Sequence, residues 1–286
     1  MLGLSKPKGT FSFTLSMNWK TIRRSVVIVF TLLLLAYGIA VARYGGLGKT
    51  ASCPLTECQT PLIFAHRGHS QFPENSIAAF RAAIHEGYKG IELDIRLSKD
   101  GIPIVFHDAN AERLLHKNCE VNSLLADDFR KLFLYQNDSV TALHPVLLED
   151  VFIAFQKNTL YYLDIKIADK IMYEKVRDLI LKHNLISHAI IASNAYEFLL
   201  RFKLNNSKFM VIQEDVNSRN QWTYHLIPNQ LKPDFIGGSV LDMDPSHHEW
   251  LNKNNLTQSK IVYDVNLENT HLLQRWKLKH SIQDLQ

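Results

Sequence analysis

Beyond Pro61 the sequence alternates between short apolar runs and longer segments in which apolar residues have a helical spacing. This alternation is typical of α/β domains, because parallel strands need a crossover, usually a helix, between them. Eight short runs within about 225 residues match the usual size of one barrel. We therefore predict a TIM-type (β/α)8 barrel over residues 62–286. The predicted strands are 62–65, 91–97, 102–106, 160–165, 189–192, 209–213, 234–237 and 260–265.

The segments between the predicted strands carry helix signals of different strength. Asn75 or Ser76 can cap a helix that ends at Gly87, because both side chains accept hydrogen bonds from free backbone N–H groups. A second helix is predicted over 170–183 from its apolar spacing. The polar stretch 243–258 predicts a loop at one end of the barrel.

A charge-free apolar stretch precedes the barrel. Residues 25–42 contain no charged side chain, which is near the lower limit for crossing a bilayer. Five basic residues precede this stretch and only Arg43 follows closely, so we predict a cytoplasmic segment 1–24, a single span over 25–42 and a linker over 43–61. The barrel would then lie outside the cytoplasm. The alternatives are a cleaved signal peptide, which would make the protein secreted or periplasmic, and a buried core helix.

The barrel region carries little net charge. Six of the 32 basic residues fall in the first 43 residues, which contain no acidic residue, so 26 basic and 28 acidic residues remain for the rest. Proteins that follow a nucleic-acid backbone need a local excess of Lys and Arg. We therefore predict no nucleic-acid partner.

Carboxylates gather where two predicted strands end. Glu92 and Asp94 lie two residues apart and so share one face of their strand, and Asp164 lies on another strand. The carboxyl ends of barrel strands meet at one end of the barrel. Three carboxylates there would form an oxygen-rich site of the kind that Mg²⁺ or Ca²⁺ prefers. The alternative is that Glu92 and Asp94 are the polar face of an amphipathic edge strand.

Histidine and basic residues follow the neighbouring strands. His66 and His107 would face each other across the ion as acid and base. Arg67 and Lys166 would supply positive charge for an anionic substrate. Structural interpretations are also open: His66 and His107 could be hydrogen-bonded structural histidines, and Lys166 could be a solvated surface side chain. Asp108, which follows His107, could cap the loop after it.

An ordered series of motifs runs from residue 66 to residue 108. It consists of His66-Arg67-Gly68, Pro73-Glu74-Asn75-Ser76, Ala79-Phe80, Glu92-Leu93-Asp94, Asp100-Gly101 and Val105-Phe106-His107-Asp108. This series resembles the glycerophosphodiester phosphodiesterase family, within the PLC-like phosphodiesterase superfamily. Weaker similarity continues at residues 145–149, 164–166 and 263–266.

The resemblance implies a TIM-type barrel that hydrolyses glycerophosphodiesters to sn-glycerol 3-phosphate and an alcohol with a divalent cation. It assigns metal binding to Glu92, Asp94 and Asp164, proton exchange to His66 and His107, and phosphate binding to Arg67 and Lys166. Supporting positions in the same pattern are Glu74, Asn75, Asp108, Tyr263 and Asn266. Glu74 and Asn75 would either organise the pocket or only cap the helix that follows them.

The sequence departs from the family pattern at three places. Asp164 stands where the family usually has Glu, and Tyr263 and Asp264 stand where it has Trp and Thr. Beyond residues 263–266 the family continues to a segment similar to Gly-Val-Asp-Gly-Ile-Ile-Thr-Asp, whereas this chain has polar sequence over 274–286. We therefore expect a truncated chain or a barrel that closes imperfectly.

The anchor and the motifs together predict a membrane-anchored, metal-dependent phosphodiesterase of lipid metabolism that acts on glycerophosphodiesters or lysophospholipids. The altered last third favours a second hypothesis, a degenerate barrel that binds a ligand or partner without catalysis. A third is a lyase-type phospholipase whose product is a cyclic phosphate.

Overall fold

A computed structural model describes residues 19–48, 55 and 60–285. Its strands are β1 (Ile63–His69), β2 (Gly90–Leu97), β3 (Pro103–Val105), β4 (Tyr135–Gln136), β5 (Ser139–Val140), β6 (Val146–Leu147), β7 (Leu160–Ile165), β8 (Ala189–Ser193), β9 (Met210–Gln213), β10 (Phe235–Ser239), β11 (Lys260–Val265) and β12 (His280–Leu285). Within the described residues, eight of them pair in parallel in the closed order β1, β2, β7, β8, β9, β10, β11, β12 and back to β1. The predicted TIM-type barrel is therefore confirmed.

Helices cover the outside of the barrel and fill the loops at its ends. They are α1 (Trp19–Arg43), α2 (Ile77–His85), α3 (Glu112–Leu115), α4 (Ala126–Phe129), α5 (Leu148–Phe155), α6 (Lys170–Lys182), α7 (Tyr196–Asn205), α8 (Pro245–Lys253) and α9 (His271–Trp276). Short 3₁₀ helices occupy Val121–Ser123, Gln221–Leu226, Asn229–Leu231, Val240–Asp242 and Thr257–Ser259.

Alternation along β2 separates its two faces. Ile91, Leu93 and Ile95 are fully buried in the core formed with the outer helices, while Glu92 and Asp94 lie on the face toward the barrel interior. β2 is hydrogen-bonded to β1 on one side and to β7 on the other. The interpretation of Glu92 and Asp94 as the polar face of an edge strand is therefore wrong.

Apolar side chains fill the barrel interior below the polar residues. Phe64 precedes His66 by two residues and Tyr162 precedes Asp164 by two, so in each strand the apolar and the polar side chain share the inner face. The Phe64 and Tyr162 rings pack edge to face with their centroids 5.6 Å apart. The polar residues thus lie directly above a buried apolar layer, at the carboxyl end of the barrel.

One predicted barrel strand lies outside the barrel. The segment 102–106 contains β3, which pairs antiparallel with the end of β2 and not within the parallel ring. The reason is the short turn Lys99-Asp100-Gly101, because a parallel crossover needs a dozen or more residues and a tight turn gives a hairpin. The assignment of 102–106 to the barrel is corrected accordingly.

The eighth strand of the barrel is β12, which was not among the predicted strands. It lies between β11 and β1 and closes the ring, so the expectation of imperfect closure is wrong.

The predicted loop at 243–258 is also corrected, because it contains α8. Asp244 caps that helix by accepting from the His247 N–H at 2.8 Å, and Pro245 occupies its first turn.

The apolar stretch near the N-terminus forms the C-terminal part of α1. Residues Ile22–Arg43 have a mean hydropathy of 2.6 and are long enough to cross a membrane. Because none of this window is buried in the protein, the core-helix alternative is wrong. The predicted cytoplasmic segment 1–24 and the predicted linker 43–61 lie partly outside the described residues, and their boundaries stay predictions.

Candidate active site

Three carboxylates meet inside the barrel at the carboxyl end of β2 and β7. The register places Asp94 beside Asp164, and Glu92 lies one pleat below. One oxygen from each of the three side chains lies within 4.8 Å of the others. Glu92 and Asp94 are almost fully buried, with 3% and 1% of their surface exposed. Burial and the charges of Asp94 and Asp164 raise the pKa of Glu92 well above its usual value.

Two basic side chains partly neutralise this cluster. Lys166 Nζ lies 2.7 Å from Asp94 Oδ1 and 2.5 Å from Asp164 Oδ2, and Arg67 Nε lies 3.2 Å from Asp94 Oδ2. Burial alone would raise the pKa of Asp94, but Lys166 and Arg67 outweigh it and hold the pKa below its usual value. The interpretation of Lys166 as a solvated surface side chain is wrong, because it binds both carboxylates.

Unusual backbone geometry brings Arg67 to the cluster. Arg67 and Gly68 have φ values of 54° and 91°, in the left-handed region. A Cβ atom on Gly68 would come within 2.6 Å of the Ala79 Cβ, so glycine is needed there. In this conformation the Arg67 N–H donates to Glu92 Oε2 at 3.0 Å while its side chain reaches Glu74 at 3.2 Å.

The sequence leaves open whether Asn75 or Ser76 caps α2 and whether Asn75 organises the pocket, and the structure gives each residue one role. Ser76 caps the helix, since its Oγ accepts from the Ala79 N–H at 3.1 Å. Asn75 binds Asp94 instead: its Nδ2 donates to Asp94 Oδ2 at 2.7 Å, and its Oδ1 accepts from the Asp94 N–H at 3.3 Å. Asn75 therefore positions a carboxylate of the cluster.

Each predicted catalytic histidine is bonded to a carboxylate through Nδ1. His66 Nδ1 lies 2.5 Å from Asp284 Oδ1, and His107 Nδ1 lies 2.6 Å from Asp108 Oδ1. Since an ionised carboxylate only accepts, Nδ1 is the protonated nitrogen in both rings. Nε2 is then the atom left to exchange a proton with a substrate.

A cavity of about 240 Å³ opens over the cluster at the end of the barrel. Its lining includes His66, Glu92, Tyr162, Asp164, Glu214, Tyr263, Asp264, Val265, Ile282 and Asp284. His107 is not among the residues that line it; it lies on a neighbouring depression with Arg96 and Asp108. Burial raises the pKa of Asp164, and Lys166 and, more weakly, His107 oppose that rise.

Two other predicted site residues have different positions. Tyr263 lines the cavity, and its hydroxyl donates to Asp215 Oδ1 at 2.5 Å. Asn266 is outside the cavity lining, and its Oδ1 accepts from the N–H groups of Glu268 and Asn269 in a turn. Asn266 therefore shapes the loop after β11.

Sequence reasoning missed two carboxylates in the cavity. Glu214 directly follows β9 and accepts from the Tyr162 hydroxyl at 2.8 Å, and burial together with the Asp164 charge raises its pKa to about 8. Its position after a strand end was the available signal. Asp284 lies on β12, a strand that was not predicted because its sequence is largely polar.

The fold and this site define a (β/α)8-barrel protein with an acidic centre suited to a hard cation at the carboxyl ends of its strands. The sequence profile of the glycerophosphoryl diester phosphodiesterase family matches residues 66–225, more than half of the chain. The chain belongs to that family, which confirms the resemblance drawn from the motifs.

Individual relatives give the extent of the similarity. A glycerophosphodiester phosphodiesterase of Bacillus altitudinis is 33% identical over 46% of this chain and 57% of its own length. Glycerophosphodiester phosphodiesterase 1 of Homo sapiens is 35% identical over 36% of this chain and 33% of its own length. The aligned part of the chain thus spans little more than half of the first relative and a third of the second.

Solved structures agree with the fold at low sequence identity. A putative glycerophosphoryl diester phosphodiesterase from Silicibacter pomeroyi has a TM-score of 0.67 at 14% identity, covering 82% of this chain and 92% of its own. A phosphodiesterase from Oleispira antarctica, solved with the product sn-glycerol-3-phosphate, has a TM-score of 0.63 at 19% identity, covering 79% and 94%. Both likenesses support the barrel.

Proposed function

We propose that this protein is a metal-dependent phosphodiesterase that hydrolyses glycerophosphodiesters to sn-glycerol 3-phosphate and an alcohol. The observation that carries the proposal is a cluster of three carboxylates bonded to two basic side chains, beside a cavity that a carboxylate-bound histidine lines. Family membership and the glycerol-phosphate complex of the Oleispira antarctica relative support the same substrate class.

The carboxylate cluster fits a divalent cation. Glu92, Asp94 and Asp164 offer hard oxygen ligands, as Mg²⁺ and Ca²⁺ prefer, and the shorter Asp164 still brings an oxygen within 4.8 Å of the others. Burial and the neighbouring charges of Asp94 and Asp164 raise the pKa of Glu92, and a bound cation would oppose both effects. When bound, the ion would neutralise phosphate charge and polarise the phosphorus–oxygen bonds.

The remaining residues would orient the phosphodiester and move protons. Arg67 and Lys166 lie at the cluster, where their fixed positive charges can hold phosphate oxygens. His66 presents Nε2 at the cavity, and His107 presents Nε2 from the depression that it lines with Arg96 and Asp108. A substrate that extends between them would give the proton of its attacking oxygen to one histidine and take a proton for the leaving alkoxide from the other. The attacking oxygen belongs to water or to the 2-hydroxyl of the substrate itself.

Lysophospholipids are a second substrate class that the surface supports. A depression of about 530 Å³ shares His66 and Asp284 with the cavity. Its walls include the apolar side chains Phe72 and Leu114 and the ring of Tyr135, which suit an acyl chain.

The membrane orientation is a separate part of the proposal. With α1 as a retained span, the N-terminus would lie in the cytoplasm and the barrel outside it.

The test is turnover by the full chain in nanodiscs on a panel of glycerophosphodiesters and lysophospholipids. The readout is the released alcohol together with sn-glycerol 3-phosphate or its acyl derivative, with Mg²⁺, with Ca²⁺ and with a chelator. We expect cation-dependent turnover in the wild type. Glu92→Gln, which keeps size and removes charge, should lower kcat by about 100-fold or more.

Thermal unfolding provides a second readout that does not need turnover. A cation bound by buried carboxylates should raise the Tm of the wild type but not of Glu92→Gln. Unchanged turnover in chelator would contradict the metal requirement. No product from any substrate, with a folded protein whose Tm responds to the cation, would contradict the phosphodiesterase activity.

A further inference from the structure

The C-terminal end of α1 is joined to the barrel by specific hydrogen bonds. The Tyr37 hydroxyl donates to the Leu226 carbonyl at 2.8 Å. Just beyond the helix, the Gly46 carbonyl accepts from the Asn229 N–H at 2.9 Å, and the Gly45 carbonyl accepts from Asn229 Nδ2 at 2.6 Å. The helix and the loop between β9 and β10 therefore meet along a defined contact.

The length of the apolar stretch fixes how deep this contact lies in a bilayer. The charge-free residues 25–42 rise about 27 Å as a helix, which is no more than the roughly 30 Å of a hydrocarbon core. The whole stretch is thus needed to cross. Tyr37 precedes its end by about 8 Å along the helix axis. The Tyr37 backbone would therefore lie in the outer part of the hydrocarbon core, from which the long side chain can extend its hydroxyl toward the interface. The Leu226 carbonyl bonded to that hydroxyl would then contact the bilayer.

The 3₁₀ helix Gln221–Leu226 is fixed to the rest of the protein and carries two exposed apolar side chains. Gln221 Oε1 accepts from His247 Nδ1 at 2.7 Å, which fixes the segment to α8. Trp222 and Leu226 are 60% and 51% exposed. Tryptophan favours the interface between lipid and water, because its apolar ring can contact lipid while its N–H remains hydrated.

We propose that the 3₁₀ helix Gln221–Leu226 is a membrane-contact element whose Trp222 and Leu226 side chains insert into the lipid interface beside α1. The inference rests on the proposed retained anchor and does not depend on catalysis. The connection that carries this helix leaves β9 at the carboxyl end of the barrel, where the carboxylates lie. The contact would fix the barrel's orientation to the bilayer in addition to the tether.

Tryptophan quenching by lipid tests the proposal directly. The full chain is reconstituted in phosphatidylcholine vesicles with or without lipids brominated near the glycerol end of their acyl chains. Trp19, at the other end of α1, is replaced by Phe in every sample to remove its signal. We expect brominated lipid to quench the remaining emission, and Trp222→Phe to remove more than half of the quenchable part.

Two further variants keep the result interpretable. Leu226→Trp combined with Trp222→Phe should restore the quenching, because residue 226 is exposed and is bonded through its carbonyl to Tyr37 of α1. Ile153→Trp with Trp222→Phe places the ring on α5, where Ile153 is 57% exposed, and should respond to aqueous iodide but not to the lipid.

The proposal is overturned by unchanged quenching in Trp222→Phe, by equal lipid quenching at positions 153 and 226, or by a protein that does not stay in the vesicles. Fluorescence needs no turnover. A catalytically silent protein with quenched Trp222 would therefore contradict the proposed function alone.

Discussion

Each site histidine is held by a carboxylate that is itself fixed in its ionised form. Arg113 and His107 outweigh the effect of burial and lower the pKa of Asp108 to about 2. The hydrogen bond from His66 likewise lowers the pKa of Asp284. Both carboxylates thus hold the Nδ1–H form of their imidazole at neutral pH. The difference is that Asp108 follows His107 directly, whereas Asp284 comes from the last strand.

Asp284→Asn tests whether this distant carboxylate positions His66. We expect kcat to fall by about 10- to 100-fold with little change in KM, because the amide no longer stabilises one ring form or the charged imidazolium. Steady-state kinetics across pH would show the loss in kcat together with an altered pH profile. Asp264→Asn is the matched control, since Asp264 lines the same cavity, whereas the carboxylate bonded to His66 Nδ1 is that of Asp284. Equal losses in both variants would argue against a positioning role.

The start of α2 shows how one short element serves both stability and the site. Ser76 satisfies a free N–H of the helix, while the neighbouring Asn75, with φ at 58°, turns its amide to Asp94. Helix capping and carboxylate positioning are thus carried by adjacent residues. A single Asn-Ser pair in sequence cannot reveal this division, because both residue types are good caps.

Variants at this pair should separate the two roles. Ser76→Ala should lower the free energy of unfolding by about 1 kcal/mol and leave kcat unchanged. Asn75→Gly, which tolerates the positive φ, should lower kcat and weaken cation binding by about 10-fold or more, because Asp94 loses two hydrogen bonds. Urea unfolding and cation titration measure the two effects. A larger loss of kcat in Ser76→Ala than in Asn75→Gly would reverse the assignment.

Strands whose faces differ in polarity are predictable from sequence, and strands defined by distant pairing are not. β2 is evident because Ile91, Leu93 and Ile95 alternate with charged residues, and the same alternation places Glu92 and Asp94 in the site. β3 is a true strand, but its neighbour and direction follow from the turn before it. β12 has polar residues and depends on partners more than 200 residues away in β1, so local pattern gives no signal.

Closure of the barrel depends on a buried contact between its first and last strands. His280, at the start of β12, is fully buried, and its Nδ1 accepts from the Leu62 N–H at 3.0 Å. Since Nδ1 is the acceptor, the ring has to be neutral there. Burial lowers the pKa of His280 to about 4. Acid can therefore disrupt one of the hydrogen bonds that join β12 to the start of the barrel.

The pH dependence of stability follows from this histidine. Between its unfolded pKa of about 6.5 and its folded pKa of about 4, the unfolded chain binds the extra proton, so stability falls as pH falls. His280→Asn keeps an acceptor for the Leu62 N–H without the titration. It should be less stable than the wild type at pH 7, because packing is lost, but its disadvantage should shrink by about 1 kcal/mol on going to pH 5.5. Urea unfolding of both proteins at the two pH values measures this change, with His271→Asn on exposed α9 as the matched control. A disadvantage that is the same at both pH values would show that His280 does not link barrel closure to protonation.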